Sequence, residues 1–235
     1  LKYIGLDGCK SGWFFVALDD ASGVEIGILS TIAEIEPLLD LDSTVLIDIP
    51  IGLRSSGSLE RLCDKHARKL LGPKRGSSVF RVPCRTALTA LDYQQASTVN
   101  FENTGKKLSK QTWGIVAKIR EVDDYIRRSA NGVLPREMHP ELCFCALNLM
   151  RPLKHNKKTD QGFAERIDIL CSYFAESERV VSLGLSRFLR KVVARDDIVD
   201  ALVGAVTAKL PLISLPQHIE IDGEGLQMEI VYADV

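Results

Sequence analysis

Lys2-Tyr3-Ile4-Gly5-Leu6-Asp7-Gly8-Cys9-Lys10-Ser11-Gly12-Trp13-Phe14-Phe15-Val16-Ala17-Leu18 reads as two apolar strands, 3–6 and 13–18, joined by a glycine-bearing turn. Outward from it, residues 24–29 supply a third run after Ala21-Ser22-Gly23. Thr31 is placed to cap a short helix through Leu39 with Ile32, Ile35, Leu38 and Leu39 on one face. Thr44-Val45-Leu46-Ile47 is a continuous apolar run of the kind a fully covered central strand shows, and it ends at Asp48-Ile49-Pro50. The order strand, strand, strand, helix, strand is that of an α/β protein. Further helices are predicted over 59–70, over 111–128 after the Ser109 cap, and over 160–175 and 198–209. Residues 133–138 return to the sheet, and 219–231 form a hairpin turning at Asp222-Gly223. The expected organisation is a core of 1–49 and 133–235 interrupted by a basic, mainly helical insertion, 50–132.

With 235 residues, 46% hydrophobic and 26% charged, the chain has the profile of an ordinary globular protein. No apolar run approaches the about 18 to 20 residues of a membrane span, and the first residues enter a strand without a signal-peptide pattern. The six cysteines contain no CxxC pair, which suits reduced thiols and a cytoplasmic location. His139, Cys143 and Cys145 have a superficial metal spacing but lack a fourth ligand, so the cysteines read as buried thiols. The net charge of −1 conceals an asymmetry. Residues 50–132 carry 16 Lys+Arg against 7 Asp+Glu, the remainder 14 against 24. Clustered cations recruit polyanions through counterion release, so Arg54, Arg61, Arg68, Arg75 and Arg85 are candidate phosphate contacts. Phe80 is the sole aromatic between Arg54 and Arg85. A duplex or branched nucleic acid is therefore expected over a single strand. Attraction of the basic insertion to the acidic core is the competing explanation of the same asymmetry.

Three carboxylate sites interrupt apolar segments at their edges. Asp7 ends the first strand, Asp48 the fourth, and Asp196-Asp197-Ile198-Val199-Asp200 opens an apolar helix. The helix dipole accounts for Asp196 and Asp197 in a first turn but not for Asp200, which lies a turn deeper. Asp197 and Asp200, three apart, share a face. Grouped carboxylates without a histidine or cysteine cage suit a hard divalent cation, Mg²⁺ or Mn²⁺. Two such ions about 3.5 to 4 Å apart serve phosphodiester hydrolysis.

Gly5-Leu6-Asp7-Gly8-Cys9, Asp48-Ile49-Pro50-Ile51-Gly52-Leu53, Cys63-Asp64 with Ala67-Arg68, Ser77-Ser78-Val79-Phe80, His139-Pro140-Glu141 and Asp196-Asp197-Ile198-Val199-Asp200-Ala201-Leu202 follow one another in the chain. In that order they resemble the successive motifs of the domain of unknown function 429 family, described as predicted nucleases with an RNase H-like fold. The resemblance implies a mixed sheet, three antiparallel strands plus parallel additions with the fourth beside the first, flanked by helices. It further implies a two-metal nuclease taking one acid from the first strand, one from the fourth and a pair from the last helix. By motif position the catalytic and metal-binding residues are then Asp7, Asp48, Asp197 and Asp200. Arg81 after Phe80, and Cys84 ahead of Arg85, depart from the proline-rich loop expected there.

His139 is a candidate proton carrier, and Glu141 an auxiliary ligand or base for which Glu137 competes. Lys157 or Lys158 is a candidate phosphate contact, with a solvated loop the competing explanation. Gln111, Glu121 and Asp123 read as polar face or domain contact. Two other functions stay open on the sequence. One is nucleic-acid binding without catalysis. The other is ATP phosphotransfer of the actin and sugar-kinase type, whose phosphate loop the first hairpin also resembles.

Overall fold

The computed structural model describes residues 1–235 except Ser22 and Asn131, so Ser22 of the expected 21–23 connection lies outside the described residues. Strands β1 (Lys2–Cys9), β2 (Gly12–Asp19), β3 (Val24–Leu29), β4 (Thr44–Ile47) and β5 (Arg136–Glu137) form one sheet in the order β3-β2-β1-β4-β5. The β1–β2 and β2–β3 pairs are antiparallel, and the β1–β4 and β4–β5 pairs parallel. This is the mixed sheet expected of an RNase H-like α/β fold. Around it run α1 (Leu62–Arg75), α2 (Tyr93–Thr104), α3 (Lys110–Arg128), α4 (Pro140–Leu147), α5 (Asp160–Tyr173), α6 (Ser177–Arg187) and α7 (Arg195–Ala208). A separate hairpin joins β6 (Leu212–Ile221) to β7 (Gln227–Ala233). No helix among the described residues is long and apolar enough to cross a membrane.

Alternation along the strands divides the interior in two. Ile4, Leu6, Trp13, Phe15, Val45 and Ile47 face one side, where α3 packs through Val116, Ile119, Val122 and Ile126. Phe14, Val16 and Leu46 face the other, where α7 and α4 lie with Leu202, Val206, Leu142 and Phe144. Segment 50–132 contributes Cys63, Ala67 and Leu71 to the second layer and Leu88, Val116 and Ile119 to the first. It is built into both cores.

Several local expectations need correction. Strand β1 runs three residues past Leu6, leaving only Lys10 and Ser11 as the turn before Gly12, whose φ of 129° favours glycine. The segment after Thr31 is 3₁₀ (Ile32–Leu38) with Pro37 inside, a residue that has no N–H for an α-helical bond. Thr31 makes no side-chain cap; the Ser30 N–H donates instead to Glu34 (2.9 Å) and the Ile32 N–H to Glu121 of α3 (2.6 Å). The expected strand 133–138 shrinks to Arg136–Glu137, and helix α1 begins at Leu62 and breaks at Gly72 (φ 66°).

Helix α7 lies on β1 with backbone against backbone. A Cβ added at Gly5 would stand 2.0 Å from the Ala201 carbonyl oxygen and 2.3 Å from the Ala205 nitrogen. Gly5→Ala is accordingly expected to cost about 3 kcal/mol or more, seen as a lower midpoint in urea unfolding.

Candidate active site

Asp7 and Asp48 are neighbours because of strand register. The parallel β1–β4 ladder runs to Leu6 opposite Ile47, and the Asp48 N–H continues it by donating to the Leu6 carbonyl at 3.0 Å. By alternation Asp7 shares the α7 side of β1 with Gly5. Asp200 comes from α7, which runs antiparallel to β1, with the Lys209 ammonium 5.9 Å from the centre of the Tyr3 ring at the far end. Contact at Gly5 therefore puts the amino-terminal turns of α7 beside Asp7. Asp200 is 2% exposed. Asp197 is half-buried, and its carboxylate accepts the Ala194 N–H at 2.8 Å, which makes it in part a helix cap.

These acids repel one another. Burial first, then the charges of Asp48, Asp200 and Asp197, hold the Asp7 carboxyl well above the ordinary aspartate range. Burial and the Asp200 charge raise Asp48 to about 7. Burial also lifts Asp200, against the opposing pull of Lys157, and lifts Asp197 to about 6. The Lys157 ammonium stands among them, donating to Asp200 at 2.6 Å and lying 3.7 Å from Asp196. Burial pulls its pKa down, but the charges of Asp200, Asp7 and Asp48 raise it further, so the net movement is upward. Among the described residues no three His, Cys, Asp or Glu side chains are grouped so as to hold a metal ion as they stand. The donors are nonetheless of the right type for a hard cation, with carboxylate oxygens predominant, and one positive charge already sits at Asp200.

Asp7 and Asp48 open into a cleft of about 630 Å³ whose walls also include His139, Glu141, Arg75 and Lys157, while Asp200 lies behind Lys157 in a smaller pocket with Asp196 and Arg166. Glu137 also reaches this cleft, but it accepts from Arg61 at 2.7 and 2.8 Å and from the Ile51 N–H at 2.7 Å. Those bonds make it an anchor for the chain after Asp48. Glu141 accepts from Arg166 through Oε1, while its buried Oε2 has no hydrogen-bond partner and lies 3.9 Å from Arg75 Nε. Burial lowers the His139 pKa against a hydrogen bond to the Ser78 backbone, and His139 Nδ1 is buried without a partner. Lys157 is delivered by the loop before α5, where Thr159 accepts the Gly162 N–H at 3.1 Å.

Residues 5–213 match the model of a family described as protein of unknown function (DUF429). The chain belongs to this family. No curated protein and no solved structure matches it.

Within this DUF429 member most of the arginines expected to grip phosphate are engaged internally. Arg61 is 1% exposed and donates to Asp64, Glu137 and the carbonyls of Ile51 and Gly52, so it cannot reach a ligand phosphate. Arg54 pairs with Glu220 at 2.5 Å; Arg68 bonds the Val79 carbonyl at 2.6 Å and Glu60; Arg85 bonds Asp123 at 2.7 Å and Asp222. Besides Arg61, the basic residues lining the cleft are Arg75, whose Nε donates to the Leu153 carbonyl at 2.9 Å, and Lys74, Lys118, Lys157 and Lys158. Of these, sequence reasoning did not single out Lys118, because only tertiary packing brings the middle of α3 to the same opening as the end of α1 and the 154–158 loop. Lys118 donates to the Gly12 carbonyl at 2.5 Å and lies 4.3 Å from the Trp13 ring centre. Glu121 serves the expected contact role, accepting from Trp13 Nε1 at 3.1 Å, and all six cysteines are free, five of them buried.

Removing Arg61 would leave Asp64 and Glu137 buried and unpaired. Arg61→Met is expected to destabilise the fold by about 3 to 5 kcal/mol, measured by chemical denaturation. Asp48 sets a pH dependence of opposite sign to that of a salt-bridged carboxylate. Its folded pKa of about 7 lies above the ordinary 3.8, so the folded state binds the extra proton. Ionisation therefore costs stability above about pH 7, and the cost vanishes below about pH 4, where both states are protonated. Asp48→Asn should raise the metal-free Tm at pH 8 by several degrees and leave it nearly unchanged at pH 4, as scanning calorimetry would record.

Proposed function

We propose that the protein hydrolyses phosphodiester bonds of nucleic acid with Mg²⁺ or Mn²⁺. The observation that carries this reading is the register of Asp7 beside Asp48 on adjacent parallel strands, with Asp200 brought over them by α7. The half-buried Asp7 and Asp48 and the buried Asp200, whose protonation equilibria are pushed upward by desolvation and by one another, hold negative charge that a divalent cation would relieve. Asp7, Asp48 and Asp200 would hold it, with Asp197 at the rim. Cations bound there supply an activated water and neutralise the leaving oxygen. Arg75 and Lys158 at the cleft are placed to orient a phosphate. His139, its lowered pKa keeping the imidazole neutral near pH 7, offers Nδ1 as a proton acceptor. Glu141 has a free oxygen near Arg75 for a water or a ligand.

The second reading, binding without catalysis, draws on Lys157, which already balances the charge of Asp200. A cleavage panel separates the two. Wild-type protein with Mg²⁺ or Mn²⁺ is expected to cut at least one of DNA, RNA, hybrid or branched substrates, and Asp7→Asn to lose at least about a hundredfold in rate, in line with removal of a charged group that acts in the transition state. Failure of metal-loaded wild-type protein to cut any of them, alongside retained binding, would leave the second reading.

A further inference from the structure

The cleft also has an apolar part to its lining, formed by Phe80, Val82, Ile115 and Ile49 with Pro50. Val82 and Ile115 pack against the core beneath the sheet. Phe80 is different. It is half-buried at the cleft, belongs to neither hydrophobic core, and pairs with no other aromatic ring among the described residues. A half-buried ring at the cleft and outside both cores leaves a face open to a ligand there.

The segment bearing Phe80 is nevertheless fixed. Arg68 donates to the Val79 carbonyl at 2.6 Å, the Val79 N–H to Gly76 at 3.1 Å, and Ser78 Oγ to the Arg75 carbonyl at 2.8 Å. Arg68 and the short turn thus hold the ring ready at the cleft wall, so its placement is set before any ligand arrives. Cations line the same cleft, Arg75 and Lys158 among them.

We propose that the cleft takes a single nucleotide unit with an unpaired base, the base laid against Phe80 and its phosphate directed to the Asp7, Asp48 and Asp200 end. This rests on the phosphodiesterase reading and specifies its substrate class. The cavity of about 630 Å³ has the size of a small-molecule site, roughly 300 to 1,000 Å³. Stacking on an aromatic ring requires a base freed from its pair. Four of the arginines expected to carry a duplex, Arg54, Arg61, Arg68 and Arg85, are engaged within the fold. The occupant is a single-stranded end or a small free nucleotide diester, two sources of the same chemistry.

The test uses Phe80→Leu and Phe80→Trp with four substrates: an abasic (tetrahydrofuran) phosphodiester, which has neither base nor aromatic ring, a dinucleotide, a single-stranded oligonucleotide and a blunt duplex. Phe80→Leu should lose roughly tenfold or more in kcat/KM on the dinucleotide and single strand, keep the wild-type rate on the base-free diester, and weaken binding of a fluorescent trinucleotide by a similar factor. Phe80→Trp should retain all three. Hydrolysis of the dinucleotide alone identifies the small-nucleotide source; hydrolysis of both identifies the strand end. Unchanged trinucleotide binding in Phe80→Leu, equal losses with and without a base, or faster cutting of the duplex than of the single strand would each overturn the assignment. If wild-type protein leaves every diester intact, the phosphodiesterase reading fails, and trinucleotide binding still decides the role of Phe80.

Discussion

The close approach of α7 to β1 is the constraint from which the rest of the site follows. Gly5 and Gly204 meet without side chains between them, for a Cβ on Gly204 would lie 3.0 Å from the Gly5 Cα. Helix and strand therefore touch through their backbones, and the distance from Asp200 to the sheet is set by peptide groups, which do not change rotamer. A side chain at either glycine would lift the helix and carry Asp200 away from Asp7. Met138 closes the other flank, its terminal methyl 2.9 Å from the same Gly204 position. Few arrangements give a buried carboxylate so little freedom to escape its neighbours.

A second set of bonds holds the other strand. Arg61 joins Asp64 and Glu137 to the carbonyls of Ile51 and Gly52, which fixes the chain immediately after Asp48. Asp222 in the β6–β7 turn performs a similar service, accepting from the N–H groups of Leu53 at 2.8 Å and of Glu224 and Leu226 at 2.9 Å, and from Arg85. Part of the uneven charge distribution is thus spent within the molecule, where Arg54, Arg61 and Arg85 meet carboxylates of the acidic flanks. Buried ion pairs of this kind add little net stability over apolar packing, but once present they penalise every arrangement that separates the partners. The basic middle of the chain and its acidic flanks fit together for that reason.

The sheet was legible because its strands carry strong local signals: the apolar runs at Trp13–Leu18 and Thr44–Ile47, and glycines at the turns. Thr159 and Ser109 also announced their helices correctly, each accepting an N–H three residues on. Helix α4 was not legible, since all eight of its residues are buried and periodicity vanishes when every face is covered. Helix α2 is weakly amphipathic and α6 follows α5 closely, so neither stands out from its surroundings. At the site, Asp7, Asp48 and Asp200 could be read because each interrupts an apolar segment. The fate of the arginines could not be read, because whether a cation meets solvent or a carboxylate depends on partners such as Glu137 and Glu220, 76 and 166 residues away.

The placement of Asp200 on α7 also has a consequence for biosynthesis. A nascent chain emerging from the ribosome completes the β1–β2 hairpin and can add β4 early, so Asp7 and Asp48 stand side by side long before α7 exists. Until residue 200 and the helix behind it have been made and docked on Gly5, the third acid is missing, and so is Lys157 in its final setting. Late docking of a sequence-distant helix is slow relative to local hairpin formation. Assembly of the acidic cluster therefore waits on the last helix of the fold, and a chain that stops short of it carries half a site.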